Sequence, residues 1–227
     1  AQTLSVAVLE KNADLVSSLK QSQAVTELNI IDDTYPNADD DLLVKRERAE
    51  KGRGYTVVCV PLNLALDIYA LLSEGSLPVH SYLSVTDAKG TTRNLYVPIG
   101  TTIRSILKHL SISPGEHDRV LCGGSMKGVS VYSLDTPLAR GVEAVTVVSA
   151  SPADDYPSRP CVACGNCIEV CPVKLQPGEM GCVCEMGMSA EVSGLDVCIS
   201  CGLCAYVCPS GRPLIQWFDL ARQSRGE

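Results

Sequence analysis

The sequence predicts a chain of mixed class: a parallel α/β segment, then an α+β segment, then a domain organised by cysteines. Three observations predict it. Strand-like and helix-like stretches alternate over residues 1–75. Short strands with one helix fill residues 76–152. Ten of the twelve cysteines fall between Cys161 and Cys208. The expected domains are therefore 1–75, 76–152 and 153–227.

In the first segment Leu4 to Leu9 reads as a strand, and Asn12 as the cap of a helix carrying Leu15, Val16 and Leu19. Val25 to Ile31 reads as a second strand. Asp39 to Glu50 reads as a charged helix ending near Gly52. Tyr55 to Val60 reads as a third strand, whose continuous apolar run suits a buried parallel sheet. Leu62 to Leu72 reads as a helix closed by Gly75. The order βαβαβα implies a parallel sheet with right-handed crossovers. Neither G-x-G-x-x-G nor G-x-x-x-x-G-K-[ST] occurs, so the usual dinucleotide and phosphate loops are not expected. The run Asp39-Asp40-Asp41 invites a metal, but carboxylates at a helix N-terminus favour the dipole and face solvent, and that explains them better.

In the second segment Ser81 to Asp87, Asn94 to Val97, Arg119 to Leu121 and Ala144 to Val148 read as strands. A helix starting near Thr101 carries Ile103, Ile106, Leu107 and Leu110, and a helix on a mixed sheet is the expected unit. Gly123-Gly-Ser-Met-Lys-Gly128 tempts a phosphate reading. Val129 to Tyr132 reads extended, however, and a phosphate cradle needs a helix N-terminus, so a tight turn is expected.

Three prolines in Ala150 to Pro160 mark a boundary or strap. The cysteines follow. Cys161, Cys164, Cys167 and Cys171-Pro172 form C-x2-C-x2-C-x3-C-P, and Cys198, Cys201, Cys204 and Cys208-Pro209 repeat it. Three thiolates two residues apart wrap one corner of an iron–sulfur cubane, and the fourth points to the other cluster. The expected sets are Cys161, Cys164, Cys167 and Cys208 for one [4Fe–4S] cluster, and Cys198, Cys201, Cys204 and Cys171 for the other. Gly165 and Gly202 follow the second cysteine of each run, where backbone must come close. Zinc sites use two C-x2-C pairs 15–20 residues apart, which this is not. No secretory signal accompanies the cysteines, so disulfides are not expected either. Eight thiolates and two oxidised cubanes would add a net −4 to the formal −7, giving about −11, so shielding by backbone N–H groups is expected.

Val173 to Val197 is too long for a hairpin, and a helical turn is expected near Ala190. Pro213 to Arg222 reads as a helix, with Trp217 and Phe218 packing over the clusters. Cys182 and Cys184 fall outside both runs, as a third site shared with a partner or as unligated thiols. Cys59 and Cys122 read as small buried hydrophobes. A charge of −7 argues against nucleic acid and anionic membrane as partners. The most apolar stretch, Tyr55 to Leu72, is interrupted by Pro61, Asn63 and Asp67 and is not expected to span a membrane.

Cys161 to Pro177 and Cys198 to Trp217 resemble the C-terminal ferredoxin region of the RnfC family of the Rnf electron-transport complex. Val97-Pro-Ile-Gly-Thr-Thr102, Gly123 to Gly128 and Asp135-Thr-Pro137 resemble its soluble-ligand-binding β-grasp (SLBB-like) module, and Tyr35-Pro-Asn-Ala38 a segment of its flavin domain. The resemblance implies a partial flavin-type α/β domain, a β-grasp domain and a two-cluster ferredoxin domain. Relatives carry an N-terminal glycine-rich segment for FMN and NADH, and the sequence starts beyond it. FMN and NADH oxidation are therefore not expected here. The resemblance implies an electron-transfer subunit rather than a catalyst. Its expected partners are flavoprotein, ferredoxin or membrane electron-transport subunits, and its expected place is cytoplasmic, peripheral to a membrane through them. The alternative is a flavin- or corrinoid-dependent reductase whose flavin site is degenerate or completed by a partner. A purely structural role for the clusters is a third reading.

Overall fold

The computed structural model describes residues 4–22, 25–52, 56–150, 158–188 and 191–226. The chain divides after Cys59 into two compact units. In the first, β1 (Ser5–Leu9) and β2 (Glu27–Ile31) pair in parallel, Ser5 opposite Glu27 and Leu9 opposite Ile31. The connection is α1 (Ala13–Gln21). Asn12 stands at its N-cap, but its side chain makes no capping hydrogen bond. α2 (Asp40–Lys51) follows, and here the acidic run caps: the Asp39 carboxylate accepts from the N–H of Asp41 at 3.1 Å and of Leu42 at 3.4 Å. Val8, Val16, Ile31 and Leu42 are buried aliphatic side chains of this unit.

The third strand expected over Tyr55 to Val60 does not form. Tyr55 lies outside the described residues, and 56–60 carries no strand; among the described residues the parallel sheet has two strands. Val58 is 74% exposed. Apolar β-branched residues become a strand only where a neighbour takes their N–H and C=O groups, and Pro61 removes a donor at the end of the run. Cys59 is accordingly half-buried rather than a core side chain. Burial, with Asp40 beside it, raises its pKa.

The second unit opens with α3 (Leu62–Tyr69), which continues as one π-helical turn, Ala70–Glu74, and stops at Gly75. Arg140 ties it down, bonding Asp67 at 2.6 Å and the Pro78 carbonyl at 2.5 Å. Five strands follow: β3 (His80–Thr86), β4 (Thr92–Pro98), β5 (Arg119–Cys122), β6 (Val129–Ser130) and β7 (Ala144–Val148). Their order is β4-β3-β7-β5-β6, and only β3–β7 is parallel. The mixed α/β class is as the sequence predicts. α4 (Ile103–His109) buries Ile103, Ile106 and Leu107 against Leu83, Val85, Leu138 and Val145. Side chains so fully buried contribute roughly 1.5–3 kcal/mol each. The helix is capped by Thr102, at the expected start near Thr101; its hydroxyl accepts from Ser105 N–H at 3.3 Å. The carbonyls of Thr136 and Leu134 take the N–H groups of Ile103 and Arg104. Gly123 to Gly128 is a turn into β6, with no helix after it.

The cysteine-rich part holds α5 (Asn166–Glu169), α6 (Pro177–Glu185), α7 (Leu203–Tyr206) and α8 (Leu214–Arg225). The helical turn expected near Ala190 falls partly outside the described residues, since Ala190 is not among them, but Glu191 beside it is in a 3₁₀ turn with its N–H on the Met188 carbonyl at 2.9 Å. α6 is a further helix of this segment, and 151–157 of the proline strap are also outside the described residues. Met180, Val192, Leu195, Leu214, Phe218 and Ala221 form a second core. A Cβ at Gly181 would run into Leu214 Cδ2, so glycine is what lets α6 and α8 meet.

Candidate functional site

The two cysteine runs fold alike. Ala163 and Ser200 both take left-handed backbone, with φ of 52° and 50°; Gly165 and Gly202 do so at 82° and 84°. One short helix follows each, α5 and α7. Such alternation turns successive N–H groups inward and builds the concave backbone nests found around anions and iron–sulfur groups. A non-glycine residue with positive φ is uncommon, and two at equivalent places show that the wrap dictates the backbone.

Cys171, the last cysteine of the first run, lines one apolar pocket with Cys198, Cys201 and Cys204 of the second. Phe218, Met180 and Leu175 are among the apolar side chains that make up the rest of its wall, around about 340 Å³ of empty space, part of it open to solvent. Cys171, Cys201 and Cys204 are buried. Burial pushes the Cys204 thiol up to about 12, and the adjacent Cys198, Cys201 and Cys171 push the same way. Thiols held protonated like this must release protons to bind metal. Backbone N–H groups already aim at sulfur: Leu175 donates to Cys171 Sγ at 3.3 Å and Ser200 to Cys198 Sγ at 3.5 Å. Among the described residues no three His, Cys, Asp or Glu side chains converge as ligands of a single ion. A cubane offers a separate iron to each thiolate, so its cysteines stand around a volume; four cysteines lining one pocket fit that demand.

Cys161 and Cys164 are exposed, and Cys167 and Cys208 half-buried. Burial raises the Cys167 pKa; the Gly178 N–H opposes this, and the nearby Cys164 and Cys161 add to it. The tail of the second run holds the start of the first: Ser210 Oγ donates to the Pro160 carbonyl at 3.0 Å, and Arg159 N–H to the Ser210 carbonyl at 2.9 Å.

Three residues near the cysteines escaped the sequence reading. Arg212 is 2% exposed between α6 and α8; its Nη2 bonds Glu185 at 2.6 Å, its Nη1 the Gly178 carbonyl at 3.4 Å, and its guanidinium lies 4.9 Å from the Trp217 ring. Arg222 donates to Ser200 Oγ at 2.6 Å and to the carbonyls of Leu195 and Cys198 at 2.9 and 2.8 Å. Met126, in the glycine turn, places its carbonyl against the second run: a Cβ at Gly202 would meet it at 2.8 Å. For Arg222 a signal existed, since at i and i+4 it shares a helix face with the core residue Phe218; for Arg212 and Met126 there was none. Phe218 does line the pocket, whereas Trp217 packs on Arg212.

Cys182 and Cys184 lie on α6, half-buried and free of disulfides. Arg212 Nη1 donates to Cys182 Sγ at 3.6 Å, and the Cys184 thiol to the Trp217 carbonyl at 3.8 Å. Cys122 ends β5 half-buried, and burial raises its pKa. Among the described residues no helix is long and apolar enough to cross a membrane.

No family model matches the chain. Curated relatives do. The C subunit of the ion-translocating oxidoreductase complex of Methanosarcina acetivorans is 32% identical over 134 residues, 59% of this chain and 30% of that protein. Its namesake from Rhodobacter capsulatus is 38% identical over 136 residues, 59% of this chain and 26% of that one. The C subunit of the Na(+)-translocating ferredoxin:NAD(+) oxidoreductase complex of Acetobacterium woodii is 29% identical over 123 residues, 53% and 28%. The class to which the chain is similar is thus a redox-complex component of the ion-translocating oxidoreductases. More particularly, the chain is RnfC-like, as the cysteine runs predict. It spans less than a third of the length of these relatives.

Proposed function

We propose that this chain is an electron-relay subunit of a multi-subunit oxidoreductase complex, passing electrons through two [4Fe–4S] clusters between redox partners. The observation that carries the reading is the doubled C-x2-C-x2-C-x3-C-P run, whose two copies share one backbone wrap. Cys161, Cys164, Cys167 and Cys208 would hold one cluster, and Cys198, Cys201, Cys204 and Cys171 the other. The shared pocket of Cys171 with the second run supports the crossed assignment. The clusters would supply one-electron storage and transfer. The chain's own groups do the rest: the N–H groups of Leu175 and Ser200 offset thiolate charge, and Phe218 and Met180 exclude water from the second set. The strand order with one helix packed on the sheet supports a β-grasp reading of the middle segment, and the paired runs a ferredoxin reading of the last, within the division 1–75, 76–152 and 153–227. The names of the relatives, each a component of a larger complex, support redox subunits as partners, with any membrane contact made through them.

Anaerobic purification followed by iron and acid-labile sulfide assay should give about eight of each per chain. Values near zero with zinc present would overturn the reading. Stoichiometric FMN in the acid-released supernatant would replace the relay by a flavin enzyme.

A further inference from the structure

Arg212 is a buried cation whose surroundings do not account for it. Its side chain is 1% exposed, while its carboxylate partner, Glu185, is 49% exposed and its attraction is correspondingly screened by water. Its Nε is buried with no hydrogen-bond partner among the described residues. The remaining neighbours are a carbonyl, a thiol at 3.6 Å and the face of Trp217. Burying a charge is costly unless something of opposite sign repays it.

The position says what that is. Arg212 lies four residues after Cys208. Its Nη1 donates to the carbonyl of Gly178, and the Gly178 N–H is near enough to the Cys167 thiol to oppose the rise in its pKa. A Cβ at Gly178 would lie 3.4 Å from Cys167 Sγ, so α6 begins directly against that sulfur. The guanidinium therefore stands one residue behind a ligand of the first set and four along the chain from another. Both halves of that set are fastened by the segment that carries it, since Ser210 also holds Pro160.

We propose that Arg212 is the built-in counter-cation of the Cys161–Cys164–Cys167–Cys208 set. It is a positioning residue that keeps Gly178 on Cys167, and its charge offsets the further negative charge the set acquires when it takes up one electron. This rests on the two-cluster reading above. The second set is built differently: the residue corresponding to Cys167, Cys204, has Ala205 N–H beside it.

The test is a mediated redox titration of the anaerobically purified full chain, followed by electron paramagnetic resonance. The signal absent from Cys164→Ser identifies the first set. Arg212→Met should make that set harder to reduce, with about a tenfold fall in its reduced-to-oxidised ratio at fixed potential, or 59 mV for one electron, while the other signal stays put. Glu185→Gln should shift the same signal in the opposite direction, and Arg212→Lys should recover most of the loss. Unchanged potentials in an iron-replete Arg212→Met would overturn the proposal, as would equal shifts of both signals. If Arg212→Met sheds iron, Glu185→Gln decides: a positive shift confined to the first set supports the counter-cation, and no shift refutes it. Absence of iron from the unsubstituted chain would instead remove the two-cluster reading itself.

Discussion

The first and second cysteine runs share spacing, φ angles and a following short helix, yet their surroundings differ. The first exposes Cys161 and Cys164, and a Cβ at Gly165 would meet no described atom within 4 Å. The second buries Cys201 and Cys204, seats Gly202 against Met126 of the five-stranded part, and is held from behind by Arg222. One local motif thus sits in two dielectric settings. Hydrogen bonds and solvent exposure set the potentials of cysteine-ligated clusters, so such an asymmetry would separate the two proposed sites in energy without any change of ligand. On the proposed two-cluster reading, the open run would suit exchange with an outside partner, and the covered run storage within the chain.

The largest effect expected concerns the crossing of the runs. Cys208→Ser should cost about four of the eight irons, and the lost signal should be the one that Cys164→Ser also removes. Iron and sulfide counts with paramagnetic resonance read this directly. Loss confined to the Cys198–Cys204 site would contradict the crossed sets.

Next in size is a paired substitution that reads the surroundings themselves. Gly165→Ala and Gly202→Ala both force an L residue into left-handed backbone, at roughly 1–2 kcal/mol each. Only at Gly202 does the new methyl also strike the Met126 carbonyl, at 2.8 Å. Overpacking of that kind adds about 1–3 kcal/mol. Denaturant unfolding of the two variants should therefore separate them by at least the overpacking increment, and equal losses would mean that the turn does not press on the second run.

The sequence made the cysteine spacing, α8, α4 and the strands of the mixed sheet legible, because each is a local pattern: a ligand interval, an apolar face or an alternation. It misled at 56–60, where an apolar run looked like a strand but strand formation depends on a neighbour far along the chain. It hid α6, because Pro177, Gly178 and Gly181 have low intrinsic helix propensity; here Pro177 opens the helix and Gly181 makes room for Leu214. Arg212 was unreadable for a different reason. An arginine is ordinarily a surface residue, and only the meeting of α6, α8 and the Cys208 tail buries this one.

The smallest effect tests what holds the second run from behind. Arg222 donates to Ser200 Oγ, to the carbonyls of Leu195 and Cys198 and to the Asp219 carboxylate on its own helix, so through the first three it fixes the backbone on both sides of Cys198, the first cysteine of that run. The equivalent of Ser200 in the first run is Ala163, which has no hydroxyl to offer. Arg222→Met keeps the length and apolar stem of the side chain and removes the donors. A hydrogen bond from a charged group contributes about 1.5–3 kcal/mol, and with water able to replace part of it at this half-buried position a net loss of about 2 kcal/mol is expected. Ser200→Ala removes one of these acceptors and should lose about 1 kcal/mol. If the run is held as the geometry indicates, iron release to a chelator should quicken for the second set in Arg222→Met and leave the first unchanged. That would narrow the difference between the two runs by making the covered one behave like the open one.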